Sequence, residues 1–238
     1  MTYAPRLVPH SRALRLVWWS ALLLCLGLVT TPASASEERQ LVEKSQHTFE
    51  SFMEDPNLTW FQNHINDAKA ILIVPQRLRA AFFVGADGGS GIALARDEQT
   101  GEWSQPAFYV LGGLSLGLQW GGDASEVILL AMTHEALENL YTSSFKLGGD
   151  ASIATGPYGG GIQGSTSANV NAAFLAFSRS KGAYVGISLE GAILYASDDS
   201  NAAYYGEPVR PVDILVKGTV TNDHSANLRK IIQAATTP

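Results

Sequence analysis

The stretch YVLGGLSLGLQWGG, residues 109–122, separates two incompatible folds. It contains Gly113-Leu114-Ser115-Leu116-Gly117, a literal G-x-S-x-G. In α/β hydrolases that pattern holds a nucleophilic serine on a sharp turn, with a helix directly after it. Here LGLQW continues in strand fashion, and a Gly-Gly turn leads to another apolar run, EVILLAM (126–132). A triad would also need a histidine held by an acid. His224 follows Asp223 and comes late enough in the chain, but the strand–turn–helix context is missing. Ser115 therefore reads as a small residue in a glycine-rich strand, and a serine hydrolase using Ser115 stands only as a second alternative.

Outward from this stretch the chain changes character. Of its 23 glycines, none lies between Ser36 and Val84 and 22 lie between Gly85 and Gly218. The glycine-free part is helical. In SEERQLVEKSQHTFESFMEDP (36–56), Leu41, Val42, Ser45, Phe49, Phe52 and Met53 share one helical face, and Pro56 stops the helix. A second short helix fits NLTWFQNHI (57–65). Acidic residues outnumber basic ones on this segment, which favours packing on a sheet over lying on an anionic membrane.

The glycine-rich part reads as strands: 70–74, 80–86, 90–97, 107–120, 126–132, 166–180, 183–196 and 212–220. Gly-Gly, Gly-Asp and Asp-Asp steps punctuate them as turns. Glycine inside strands permits sharp bending. The expected fold is α+β, with a largely antiparallel sheet, strongly curved or barrel-like, packed short helices and an N-terminal helix. Helices are expected at 134–141, capped by Thr133, at 197–206, ended by Gly206, and at 222–235. GGDAS occurs at 121–125 and again at 148–152, and reads as a recurrent turn.

The first 35 residues read as a secretory signal peptide. Arg6, Arg12 and Arg15 precede the apolar run LVWWSALLLCLGLV (16–29), and ASA (33–35) supplies a small-residue cleavage site after Ala35. The domain division is 1–35 signal peptide, 36–67 helical segment and 68–238 β-rich domain. Cleavage would remove the single cysteine, Cys25, and lower the formal net charge from −6 to −9. An acidic chain is a poor partner for nucleic acid. The location expected is periplasmic or extracellular.

Two further motifs lack their context. Gly159, Gly161 and Gly164 fit G-x-G-x-x-G, but a polar, strand-like stretch follows where a helix is needed. HEALE (134–138) begins like a zinc-protease helix but has Glu138 where the second histidine belongs. No cofactor, metal site or catalytic residue is assigned. SRSKG (178–182) is the one compact basic element of the glycine-rich part. Arg179 and Lys181, two apart in a strand, would share a face and could clamp a phosphate or a lipid headgroup. Lys146 is the third candidate, contributed from another strand.

From Ala68 onward the chain resembles the SYLF domain family. The carrying stretches are AKAILIVP (68–75), GEWSQPAFYVLGGLSLGLQWGG (101–122), FKLGGDASIATGP (145–157), FSRSKGAYVGISLEGAIL (177–194) and DDSNAAYYG (198–206). The resemblance implies a β-rich domain with packed helices and no catalytic activity. It also implies lipid binding, since eukaryotic members bind phosphoinositides or phosphatidic acid and fungal members also bind actin. With the leader, it points to an exported bacterial member. The expected function is thus an exported, non-enzymatic, lipid- or phospholipid-binding protein at a membrane surface, with anionic lipid as partner. A structural or protein-interaction module of the cell envelope is the alternative.

Overall fold

A run such as Ala70-Ile71-Leu72-Ile73-Val74 has no polar side, so a strand made of it needs cover on both faces. The computed structural model meets that need with a nine-stranded sheet between two helical layers. It describes residues 33–81, 84–116, 121–156, 171–180, 183–184 and 189–237. These lie, but for Ala33, in the compact unit Ser34–Pro238. The leader expected at 1–35, except for its last three residues, lies outside the described residues, as do Gly159–Gly164 and Lys181.

The strands are β1 (Ala70–Ala81), β2 (Val84–Ala95), β3 (Ala107–Leu116), β4 (Gly121–Ala131), β5 (Ser144–Lys146), β6 (Ile153–Thr155), β7 (Phe174–Ser180), β8 (Ala183–Tyr184) and β9 (Ile193–Ala196). Their order is β5-β9-β3-β2-β1-β4-β7-β6, with β8 also on β7. Among the pairings of described strands only β6 with β7 is parallel. The sheet curls into a half-barrel. Phe145 on β5 stacks on Phe174 on β7, ring centroids 5.6 Å apart, although five strands separate them in the sheet order.

Residues alternate between two cores along each strand. Leu72, Val74, Tyr109, Leu111, Val127, Leu129 and Phe174 face inward, where helix α3 (His134–Asn139) and α5 (Pro211–Leu215) add Leu137 and Ile214. Ile71, Ile73, Phe108, Ile128, Leu130 and Phe177 face outward. They are covered by α1 (Ala33–Glu54), α2 (Thr59–His64), α4 (Asp198–Tyr205) and α6 (Ala226–Ala235). The expected face of α1 is the one buried: Val42, Ser45, Phe49 and Phe52 are closed off, with Leu41 and Met53 at the margin.

The curved antiparallel α+β expectation holds, and so do the five expected helices. The Thr133 side chain accepts from the Ala136 amide at 3.1 Å, and Gly206 closes α4 with φ +79°. Four local expectations fail. The stretch 80–86 is divided between the end of β1 and the start of β2, and 183–196 is broken at 189–192 by a turn with Gly191 at φ +86°. The stretch 212–220, expected as a strand, opens with α5 and passes through a turn at 216 into irregular chain. Pro211 takes the first helical turn, where its missing N–H is harmless, and Asp213 reaches Lys217 at 2.8 Å, one turn on. GGDAS is a turn only at 148–152; at 121–125 it is the start of β4. Flanking partners, not the pentapeptide, decide the conformation.

Pro75 sits in β1, a strand paired on both sides, where a missing N–H should break the ladder. One extra residue accommodates it. The register with β2 shifts between Ile73 and Leu78, and with β4 between Val74 and Arg77. The bulge crowds β2: a Cβ on Gly89 would stand 2.4 Å from the Gln76 carbonyl oxygen, so only glycine fits there. It also inverts the alternation beyond it. Leu78 now faces outward and Arg77 inward, where its guanidinium meets Asp87 Oδ2 at 2.7 Å.

Candidate functional site

Arg179 on β7 faces outward, toward α1. Its Nε and one terminal nitrogen donate to Glu126 Oε2 at 3.1 and 2.7 Å. Its other terminal nitrogen donates to the Ser51 carbonyl oxygen at 3.2 Å and lies 3.9 Å from Asp55 Oδ2. The Ser51 hydroxyl accepts a further bond. The guanidinium also lies over the Phe52 ring, 5.2 Å from its centroid. Glu126 is itself tied to α1 by the Thr48 hydroxyl at 3.0 Å. Arg179 is thus a rivet between the sheet and the C-terminal end of α1.

Lys146 is exposed on β5. Its neighbour Phe145 stacks on Phe174, and Arg179 lies five residues farther along β7, about 16 Å at strand rise. The structure does not bring Lys146 and Arg179 together for one headgroup. Lys181 lies outside the described residues.

The residues of the catalytic motifs fall on separate elements. The backbone of Ser115 pairs with Gly85 inside β3, and the ladder runs on to Leu116. His224 lies in the outer helical layer instead, with Nε2 3.2 Å from Glu43 Oε1 and Nδ1 3.5 Å from the Tyr204 hydroxyl. His134 is exposed and pairs with Glu98 at 3.3 Å. Lys69, 2.6 Å from Glu98, bonds that carboxyl and holds it below its usual range. Among the described residues no three His, Cys, Asp or Glu side chains cluster as metal ligands.

The surface offers a different site. Two adjoining depressions of about 460 and 440 Å³ follow α1 where it crosses the β1 bulge. Both include Lys44, Pro75 and Gln76. The first extends over Leu41, Leu78 and Val110 to Ser197 and Ser200, and the second reaches His47 and Arg179. Leu78, Val110 and Tyr195 are 55, 39 and 46 % exposed, high for large apolar side chains. Val110 and Tyr195 are directly paired across β3 and β9, and the bulge is what turns Leu78 to this side. The groove is therefore amphipathic: an apolar floor from the sheet, and Glu37, Lys44 and His47 along the helix. Sequence reasoning missed it, because residues 78, 110 and 195 meet only in the folded sheet. The one available signal was Pro75 next to an apolar run.

A sequence model of the family described as "Ysc84: Las17-binding protein actin regulator" matches residues 112–235. The bovine SH3 domain-containing YSC84-like protein 1 is 32 % identical over 173 residues, 72 % of this chain and 50 % of that protein. Its Xenopus laevis counterpart is 32 % identical over 168 residues, 69 % of this chain and 50 % of its own length. LAS seventeen-binding protein 3 of Saccharomyces cerevisiae is 30 % identical over 143 residues, 59 % of this chain and 31 % of that protein. The chain spans half the length, or less, of these relatives.

Proposed function

The chain belongs to the Ysc84 (SYLF) family, and on that premise we propose that it is an exported, non-enzymatic lipid-binding protein that works at a membrane surface. The observation that carries this reading is the exposed trio Leu78, Val110 and Tyr195 beside the α1 groove. Apolar side chains held out by a rigid sheet gain by entering the acyl boundary of a bilayer, roughly 1 kcal/mol each, about half the value for full burial. Lys146 and Lys181 are the proposed headgroup contacts, with Arg179 holding α1 in place. The leader at 1–35 supports export, and its cleavage after Ala35 would leave nearly all of α1 in the mature protein.

Co-sedimentation of residues 36–238 with vesicles of varied headgroup tests this. Binding is expected, and Val110→Gln with Tyr195→Gln should weaken it about thirtyfold, two contacts of that size. Anionic headgroups should add a salt-sensitive increment that Lys146→Ala reduces. No sedimentation with any vesicle would overturn the reading and leave an envelope protein partner as the occupant of the groove.

A further inference from the structure

The inward face of the half-barrel is not apolar throughout. Beyond the bulge it carries Arg77 and Arg79 on β1, Asp87 on β2 and Ser125 on β4. Arg77 and Ser125 are paired across strands, as are Arg79 and Asp87. Residues directly opposite share a face, and the Arg77–Asp87 bond fixes that face as the inner one. The patch therefore spans three adjacent strands on rigid backbone.

Burial makes it unusual. The Arg77 and Asp87 side chains are 3 and 7 % exposed, and Ser125 is 4 % exposed. Yet Arg77 Nε, Arg79 Nε, Asp87 Oδ1 and Ser125 Oγ are buried without a hydrogen-bond partner among the described residues. Arg79 stands in register with Asp87 on β2 and Asp123 on β4. A buried polar atom left unbonded costs about 1–3 kcal/mol, more when charged. Four at one place are a large cost for a patch that only supports the sheet. Room for the carboxylate is also provided: a Cβ on Gly113 would stand 2.8 Å from Asp87 Oδ1.

The four atoms define a ligand. Two guanidinium N–H groups and one hydroxyl can donate, while the carboxylate can only accept. We propose that Arg77, Arg79, Asp87 and Ser125 bind a protonated phosphate group, its bare oxygens on the arginines and the serine and its P–O–H on Asp87 Oδ1. A sulfate or a fully ionised anion has no proton for Asp87 and is repelled there. The group can belong to a phosphomonoester lipid whose headgroup enters the half-barrel, or to free phosphate or a soluble phosphomonoester. This site is separate from the outward groove and does not depend on the membrane reading.

The test is solution NMR of the arginine Nε–H groups in residues 36–238, titrated with inorganic phosphate, glycerol phosphate and sulfate near pH 6. Small detergent assemblies containing phosphatidic acid form a further arm. Arg77 and Arg79 signals are expected to move with at least one phosphate probe and to stay still with sulfate at equal ionic strength. Movement with the soluble probes identifies a soluble ligand, and movement with phosphatidic acid alone identifies the lipid. Arg79→Gln, the half-buried member and the one least needed for folding, should weaken the response of Arg77 at least tenfold. Ser125→Ala should weaken it less. Equal shifts with sulfate, no shift with any phosphate probe, or an unaltered titration in Arg79→Gln would overturn the proposal.

Discussion

Replacing Arg179 with methionine separates a rivet from a ligand-binding residue. The substitution keeps a long apolar side chain over Phe52 and removes the guanidinium. Glu126, whose side chain is 33 % exposed, would rehydrate, so its loss should cost at most about 1 kcal/mol. In a drier place, Asp55, with a side chain 9 % exposed, would lose a cation 3.9 Å away, and the Ser51 carbonyl oxygen would lose a donor. That adds about 1–3 kcal/mol. The contact between the cation and the Phe52 ring is partly replaced by a sulfur–aromatic contact. The total is roughly 2–4 kcal/mol of the 5–15 typical of a domain. With a urea slope of about 2 kcal/mol/M, the unfolding midpoint should fall by 1–2 M. Arg179→Lys should fall in between, because an ammonium cannot serve Glu126 and Ser51 at once. The assay is urea unfolding followed by tryptophan fluorescence, run beside vesicle co-sedimentation. An unchanged midpoint together with lost vesicle binding would refute the rivet and restore Arg179 as a headgroup contact.

Two other outcomes follow from packing and burial. A Cβ on Gly156 would stand 2.1 Å from the ring of Phe177, which is fully buried against Trp60 and Phe61. Gly156→Ala should therefore cost about 3 kcal/mol, and Phe177→Leu in the same chain should recover part of it; additive losses in the double mutant would refute the clash. Burial raises the phenol pKa of Tyr109, Tyr141, Tyr204 and Tyr205, reaching about 12 at Tyr141 and Tyr204. In the unfolded chain a tyrosine ionises near pH 10, so from there upward the unfolded state has lost protons that the folded state keeps. Stability should be insensitive to these groups below about pH 10 and fall steeply between about 10 and 12. Tyrosinate absorbance should then rise together with loss of near-ultraviolet circular dichroism; ionisation of all the tyrosines in a still-folded protein would contradict the burial.

Local signals carried the reading where burial is uniform or chain geometry is self-contained. Ala70–Val74 and Val127–Ala131 are apolar on both sides, and both became central strands covered twice. Thr133 started one helix and Gly206 ended another by their own chemistry. The run 212–220 misled, because Val-Asp-Ile-Leu-Val fits a strand as well as a short helix, and only Pro211 and the Asp213–Lys217 spacing spoke for the latter. The site residues were harder. The partners of Arg179 lie 53 and 128 positions away, so a compact basic motif could not be distinguished from a neutralised one. Arg77 and Arg79 sit in a stretch whose alternation a single proline inverts. Without the bulge they would face outward as ordinary strand arginines. The amphipathic trio needs the same inversion to acquire Leu78.

The outer core is closed by both ends of the described chain. His224 reaches Glu43, Asn227 donates to Gln46 across 181 positions, and Trp103 Nε1 donates to Thr236 at 2.8 Å. A ribosome must therefore finish α6 before the outer layer is complete, and loops this long close slowly. The nascent chain spends its synthesis without a completed fold. Under the export proposed above, that delay is useful: the chain that must stay extended during passage is one whose outer layer cannot close until α6 has been made. A chain stopped before Ala226 should, by the same reasoning, leave the outer core without Leu228 and Ile232 and be a substrate for chaperones and proteases.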